Sequence, residues 1–449
     1  MRFDRKTVAD FLQLRQLAGG RRIFLRHEYD KWYAILKWLA GIYRRTFLSR
    51  VPIVVVIGSL GKTTTRRALQ LALACPERPF SYSNYGSSLA ENLLRIHRLD
   101  ACGVLEVGVA GPGRMQPYAN MIRPNMVVVT AIKSEHNRSF PTLFETRAEK
   151  VQMVSALPAN GVAMLNGDDP HVRWMATQTK ARVIFFGVNP ENDVRATDIR
   201  FQEKGGATFQ VSIGTDRFGL QSKLIGEHMV YPMLAAVTAS HVLQVDLAAA
   251  IARLAQLEPD ASRMQLMTLP NGAQILDDSH KGALESTHAA LEAFARIPAA
   301  RKIVVLGNIE EPPGKERDLY RELGCRLSRF ANLVICVGRE PMTALRAAAV
   351  REGMSQSAFK LFGSRIDGVA EFLQTALRPG DLVLLKAAST QRFRRIALQL
   401  SGKKVSCRVK YCGVKVSACD TCPLLDAPAS RFENKLIRRY VNFEDAHRP

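Results

Sequence analysis

From Val51 onward the chain alternates short, unbroken apolar runs with longer stretches in which apolar residues recur every three or four positions. The runs Ile53–Ile57, Gly103–Val107, Met126–Thr130, Gly161–Leu165 and Val183–Phe186 predict strands, and Thr64–Ala74 and Thr146–Ala156 predict helices between them. Strands that are apolar at every position belong to parallel sheets covered on both faces. Ala207–Ile213 and Phe218–Ser222, separated by Gly214-Thr215-Asp216, predict a hairpin or antiparallel edge. Helical patterns over Tyr231–Leu243 and Leu247–Leu257 run out at Glu258-Pro259-Asp260, where we expect a domain boundary. A second alternating block follows, with strands at Ala273–Leu276, Lys302–Leu306, Leu333–Val337 and Asp381–Leu385 and helices at Ser286–Phe294, Arg317–Phe330 and Ile366–Leu377. Alternation of this kind describes βαβ units, here a separate Rossmann-like domain.

One junction carries chemistry. Ile53-Val54-Val55-Val56-Ile57 runs into Gly58-Ser59-Leu60-Gly61-Lys62-Thr63-Thr64, a buried strand entering a glycine loop that opens a helix. Glycines let backbone N–H groups curl toward phosphate oxygens, and the helix N-terminus adds positive potential. Lys62 would reach the β/γ-phosphates and the Thr63 hydroxyl would hold Mg²⁺, with Thr64 completing the loop, so the segment reads as an ATP site. The fold class is therefore α/β: a P-loop central domain with a mostly parallel sheet, plus a C-terminal Rossmann-like domain.

The loop has the short form Gly-x-x-Gly-Lys-Thr, because Val56 stands where the longer phosphate loop has its first glycine. In this it resembles the Mur ligase superfamily, ATP-dependent enzymes that join amino acids or peptides to carboxylates. Further segments, taken in order, resemble the same family. Leu105-Glu106-Val107-Gly108 is similar to its strand-end Glu-x-Gly, which implies that Glu106 binds Mg²⁺. Thr130 to His136 resembles the stretch ending in a metal-binding histidine, and Thr146-Arg147-Ala148-Glu149-Lys150 the segment whose lysine is carbamylated in many members, which implies those roles for His136 and Lys150. Asn166-Gly167-Asp168-Asp169 and Gly226-Glu227-His228 match two more segments, but Pro232 stands where the family has an adenine-contacting Asn. Ser262-Arg263-Met264 and Asp277-Asp278-Ser279 resemble segments of the MurF branch, implying Arg263 on the γ-phosphate and Asp278 on the ribose. Lys281 faces the phosphates or is a solvated loop residue. The likeness spans about residues 51–400.

Composition sharpens what lies outside that span. The 449 residues hold 63 Lys+Arg against 41 Asp+Glu, a formal charge of +22. Residues 1–50 carry +8 of it and residues 401–449 carry +5, which leaves a modest excess on the catalytic body. No apolar run approaches the roughly 18 residues of a membrane span. The start lacks the apolar stretch of a signal peptide, and eight cysteines in a chain this long make no disulfide framework, so a reducing, cytoplasmic setting is expected.

Four segments follow: a basic amphipathic extension (1–50), the central ATP-binding domain (51–260), the C-terminal domain (261–400) and a basic tail (401–449). Over Glu28–Arg50, an aromatic and aliphatic stripe of Trp32, Tyr33, Leu36, Leu39, Ile42, Tyr43 and Phe47 is set among Arg26, Lys31, Lys37, Arg44, Arg45 and Arg50. Such a helix packs on the central domain, grips a protein partner or lies on an anionic membrane. In the tail, Cys407, Cys412, Cys419 and Cys422 are either a Zn²⁺ site or reduced thiols; Cys75, Cys102, Cys325 and Cys336 read as small core residues. No nucleic-acid reader motif is present, which argues against that class.

The reading is an ATP-dependent amide ligase working through an acyl phosphate, with a carboxylate and an amine as substrates. A phosphate loop reached by Gly58 comes too early for the family's UDP-binding N-terminal domain, so the acid is expected to differ from a UDP-muramoyl peptide. The alternative is a non-catalytic paralogue that binds nucleotide within a complex, favoured by Pro232 and by His280 to Leu284 in place of the family's loop.

Overall fold

A computed structural model describes residues 32–76, 84–202, 205–338, 341–363, 365–407, 412, 418–422 and 425. The chain forms two compact units, one of Tyr33–Asp260 with His288–Ile297, the other including Ala261–Thr287 and the described residues from Pro298 onward. Arg26 and Lys31 of the basic N-terminal segment lie outside the described residues.

The first unit begins with helix α1 (Tyr33–Thr46), then β1 (Ile53–Ile57), α2 (Lys62–Ala72), α3 (Gly86–Leu94), β2 (Gly103–Glu106), α4 (Met115–Ile122) and β3 (Met126–Val129). It continues through α5 (Leu143–Ser155), β4 (Val162–Asn166), α6 (Pro170–Trp174), β5 (Arg182–Gly187), β6 (Val194–Phe201), β7 (Ala207–Ile213), β8 (Asp216–Ser222), α7 (Val230–Val242) and α8 (Leu247–Leu254). The strands form one sheet in the order β2-β1-β3-β4-β5-β6-β7-β8. Its first six strands are parallel, and β7 and β8 add an antiparallel edge with Ala207 opposite Ser222. All five residues of β1 are buried, as its unbroken apolar run requires. Ile53, Val55, Ile57, Val127, Val129 and Leu165 fill one core cluster. Strand β6 escaped sequence reading because its burial fades along its length and its outer half is charged and exposed.

The second block holds β9 (Gln265–Thr268), β10 (Gln274–Asp277), α9 (Leu284–Arg296), β11 (Arg301–Leu306), α10 (Glu316–Leu327), β12 (Leu333–Cys336), α11 (Pro341–Arg351), β13 (Phe359–Leu361), α12 (Ile366–Ala376), β14 (Asp381–Lys386) and α13 (Arg394–Leu400). Its sheet runs β13-β12-β11-β14-β10-β9, parallel except for β9. Ile303, Val305, Ile335, Val383 and Leu385 form its core.

Two expectations change. Arg44 is buried rather than part of a charged fringe: its guanidinium donates to the carbonyls of Ile122, Arg123 and Leu48 and to Asn125 Oδ1. Of the four cysteines read as core, Cys102 and Cys336 are buried, whereas Cys75 and Cys325 are half-buried.

Candidate functional site

In the first unit, β2, β1 and β3 are neighbours and parallel, so their carboxyl ends lie side by side, the place where open α/β sheets bind ligands. The glycine loop follows β1, Glu106 ends β2, and Thr130 to His136 follow β3.

The loop needs its glycines for two different reasons. Gly58 has φ 137°, and a Cβ there would lie 2.0 Å from Thr130 Oγ1. Gly61 has φ 80° and caps α2, and a Cβ there would meet nothing within 4 Å, so the turn borders open space. Thr130 Oγ1 donates to Leu60 O at 2.7 Å and so ties the loop to the end of β3.

Lys62 Nζ donates to Gly58 O (2.7 Å) and Ser59 O (2.9 Å), lying along the loop it would serve. Lys150, on α5 and buried, donates to Gly58 O (2.8 Å) and pairs with Glu135 Oε1 (2.5 Å). Glu135 also lies 3.8 Å from Lys62, so one buried carboxylate serves both lysines. Sequence reading named His136 and passed over Glu135, because only the fold brings Glu135 to Lys150. His136 takes a left-handed conformation (φ 52°), and its carbonyl accepts from the N–H groups of Ser139 and Phe140. Thr63 and Thr64 lie in the first turn of α2, with Thr64 buried.

Glu106 accepts from Asn84 Nδ2 at 2.7 Å and lies 3.8 Å from Arg66 Nε. Asn84 is a second residue that the sequence did not reveal. The turn at Asn166 to Asp169 is scaffold for the β3 loop: Asn166 Nδ2 donates to Thr130 O, and Asp169 Oδ2 accepts from Ile132 N. Asp168 accepts from Tyr231 O–H at 3.0 Å, and burial, reinforced by that carboxylate, pushes the phenol's pKa well up. Pro232 is buried at the third residue of α7, where a helix needs no N–H donor.

In the second unit, Asp278 Oδ2 pairs at 2.5 Å with Lys386 Nζ, which is almost wholly buried and also donates to Lys281 O and Ser286 Oγ. Asp278 Oδ1 accepts from the N–H of Met264. Lys386 is thus the organiser of this loop, and its place at the end of an apolar strand had concealed that role. The charge of Arg263 first, then burial, then the charges of Arg392, Lys281 and Lys386 hold the pKa of His280 well below 6.5. Beside this cluster Arg394 binds both Asp277 and Asp420, tying residue 420 of the tail to β10.

Among the described residues, no group of three or more His, Cys, Asp or Glu is arranged to hold a metal ion. This removes the support for Zn²⁺ on Cys407, Cys412, Cys419 and Cys422, since a structural zinc takes four protein ligands; burial pushes the Cys419 thiol up to about 12. Mg²⁺ has other needs, keeping several waters and using one or two carboxylates together with substrate phosphates. Glu106 and the Thr63 hydroxyl suit that chemistry, and the open turn at Gly61 suits a phosphate.

Comparison with known proteins gives a consistent picture. The family description Mur ligase middle domain matches residues 56–240, and Mur ligase, glutamate ligase domain, matches residues 262–389. The UDP-N-acetylmuramoyl-tripeptide–D-alanyl-D-alanine ligase of Mycobacterium bovis is 26% identical over 386 residues, covering 81% of this chain and 76% of its own. Among solved structures, MurF from Acinetobacter baumannii superposes with a TM-score of 0.72 at 20% identity, covering 83% of this chain and 81% of that one. MurF from Thermotoga maritima, solved in complex with ADP, gives 0.70 at 22% identity, covering 83% and 84%.

Proposed function

Because the chain belongs to the Mur ligase family, we propose that it is an ATP-dependent ligase joining a carboxylate to an amine through an acyl phosphate. The observation that carries this reading is the glycine loop at the carboxyl end of β1, flanked by Glu106 and the β3 loop and bordered by open space at Gly61. In the proposal Gly58, Gly61, Lys62, Thr63 and Thr64 bind the phosphates, and Lys62 offsets charge as the phosphoryl group moves to the carboxylate. Thr63, Glu106, His136 and, once carbamylated, Lys150 would hold Mg²⁺, which supplies charge neutralisation at the phosphates. A carbamate on Lys150 would face the Glu135 carboxylate, so the modification and the metal are expected together. Arg263, Asp278 and Lys281 are the proposed nucleotide contacts of the second unit, where the positive charge that depresses the pKa of His280 suits an anion.

For the acid we infer a substrate other than the UDP-muramoyl peptide. The support is that α1, the segment leading into β1, is packed on this unit's own core through Tyr33, Leu36 and Tyr43. The test is mass spectrometry of products formed from a panel of acids and amines with Mg-ATP. An amide product together with ADP supports the reading, and release of no ADP with any pair removes it.

A second reading is favoured by Pro232, which puts a buried ring where the family resemblance expects an adenine-contacting amide. It is a non-catalytic paralogue that binds nucleotide within a complex. Mg-ATP binding by calorimetry without turnover of any acid and amine pair would support it.

A further inference from the structure

Helix α1 has two apolar faces, and among the described residues one of them packs on the core. Ala40, Gly41 and Arg44 are buried, Tyr33, Leu36 and Tyr43 pack on the core, and Tyr43 O–H donates to Ile96 O at 2.9 Å. Arg44, held by four acceptors, ties this face of the helix to the end of α4 and the turn before β3. The opposite face carries Ile35 (48% exposed), Trp38 (62%) and Leu39 (43%), spaced i, i+3, i+4, with the half-buried Ile42 at i+7. Exposed large apolar residues are ordinary singly; along one helix face they mark an interaction surface.

The charges choose the occupant. Residues 32–50 contain Lys37, Arg44, Arg45 and Arg50 and no acidic residue. Arg45 and Arg50 are exposed and Lys37 is half-buried. A second copy of the chain meeting this face about a two-fold axis would set like charges against one another. The preceding segment of this chain, residues 1–31, holds eight Lys/Arg against four Asp/Glu, so it too would bring net positive charge to a positive face. An anionic bilayer complements both, and tryptophan with a basic fringe suits the headgroup boundary. At 14 residues α1 is shorter than the roughly 20 a spanning helix needs, so its contact would be interfacial.

We propose that the outward face of α1, with Ile35, Trp38 and Leu39 as its apolar contacts and the exposed Arg45 and Arg50 supplying positive charge, docks the protein on the surface of an anionic lipid bilayer. Docking of this face is independent of the ligase site, and vesicle binding is read without ligase activity.

The test uses the full chain and vesicles of phosphatidylcholine alone or mixed with phosphatidylglycerol. Sedimentation with the anionic vesicles is expected at low salt, with binding weakened about tenfold or more by high salt and by the triple variant I35Q/W38Q/L39Q. These side chains are exposed, so an unchanged thermal midpoint is the control for folding. Should the triple variant fail to fold, the W32F/W174F protein leaves Trp38 as sole tryptophan, and its emission should shift to the blue on adding anionic vesicles. Absence of vesicle binding, equal binding by the triple variant, an unshifted Trp38, or a dimer in ultracentrifugation that the triple variant dissolves would each overturn the proposal.

Discussion

Lys150 and Glu135, 15 residues apart in sequence, meet at 2.5 Å with both side chains almost wholly buried, and Lys150 continues to Gly58 O in the glycine loop. The pair fastens α5 and the β3 loop to the turn that follows β1. Removing one partner leaves a buried charge without its counterion. With Lys150 unmodified, Glu135→Gln is therefore expected to lower the stability of the protein by about 3–5 kcal/mol, whereas replacing both residues with apolar ones of similar size should cost less. Denaturant unfolding of the single and double variants checks this; a single variant as stable as the parent would contradict it.

Lys62 offers a cleaner separation of folding from chemistry. Its ammonium bonds to two carbonyls of its own loop and lies near Glu135, which keeps Lys150 when Lys62 is removed. Lys62→Ala should keep a parent-like thermal midpoint while ADP formation with Mg-ATP and substrates falls about a hundredfold or more. Full turnover in this variant would argue for the non-catalytic reading of the loop.

The two glycines of the loop should respond differently to a methyl group. At Gly61 a Cβ meets nothing, so Gly61→Ala carries only left-handed backbone strain, about 1–2 kcal/mol, and the protein should fold. At Gly58 the same change meets Thr130 Oγ1 at 2.0 Å in a region of φ open essentially to glycine alone. Gly58→Ala should lose more stability than Gly61→Ala, and Thr130→Ser should not restore it, because the hydroxyl oxygen remains. Parallel thermal melts of the three proteins read this order directly.

His280 predicts a pH dependence. In the folded protein its pKa lies well below 6.5, the value expected of it unfolded, chiefly because of Arg263. As the pH falls through 6.5, the unfolded chain takes up a proton that the folded chain refuses, so stability should decline toward acid. His280→Asn removes that contribution and should narrow the difference in unfolding midpoint between pH 7.5 and pH 5.5. The C2–H resonance of His280 should show no transition near pH 6.5; a normal titration there would remove the basis of the prediction.

Much of this was legible before folding. Ile53–Ile57 is apolar at every position, so only burial on both faces accommodates it, and it forms β1 with the bounds that the run predicts. The hairpin at Ala207 was equally local, since Gly214 takes a positive φ in a short turn. Strand β6 and edge strand β9 were not, because a half-exposed strand shares its pattern with loops. The glycine loop, Glu106, His136 and Lys150 could be picked out because each sits in a short motif. Asn84 and Glu135 could not, since their meaning lies in what they touch 22 and 15 residues away.

By itself, then, the sequence determined the elements whose causes are local: continuous apolar runs, glycines at forced turns, a lysine at a helix start. Tertiary structure decided which charges meet and which faces remain in water. Lys386 reads as the end of an apolar strand and becomes the partner of Asp278, 108 residues away, because parallel pairing of β10 with β14 brings them together. Helix α1 makes the same point on one element: Tyr43 and Trp38 share an apolar helix, and only packing against α3 and α4 buries one side and leaves the other to solvent. Apolar patterning states how much surface seeks cover, while the choice of covered face depends on the shape of the neighbours, which no local window contains.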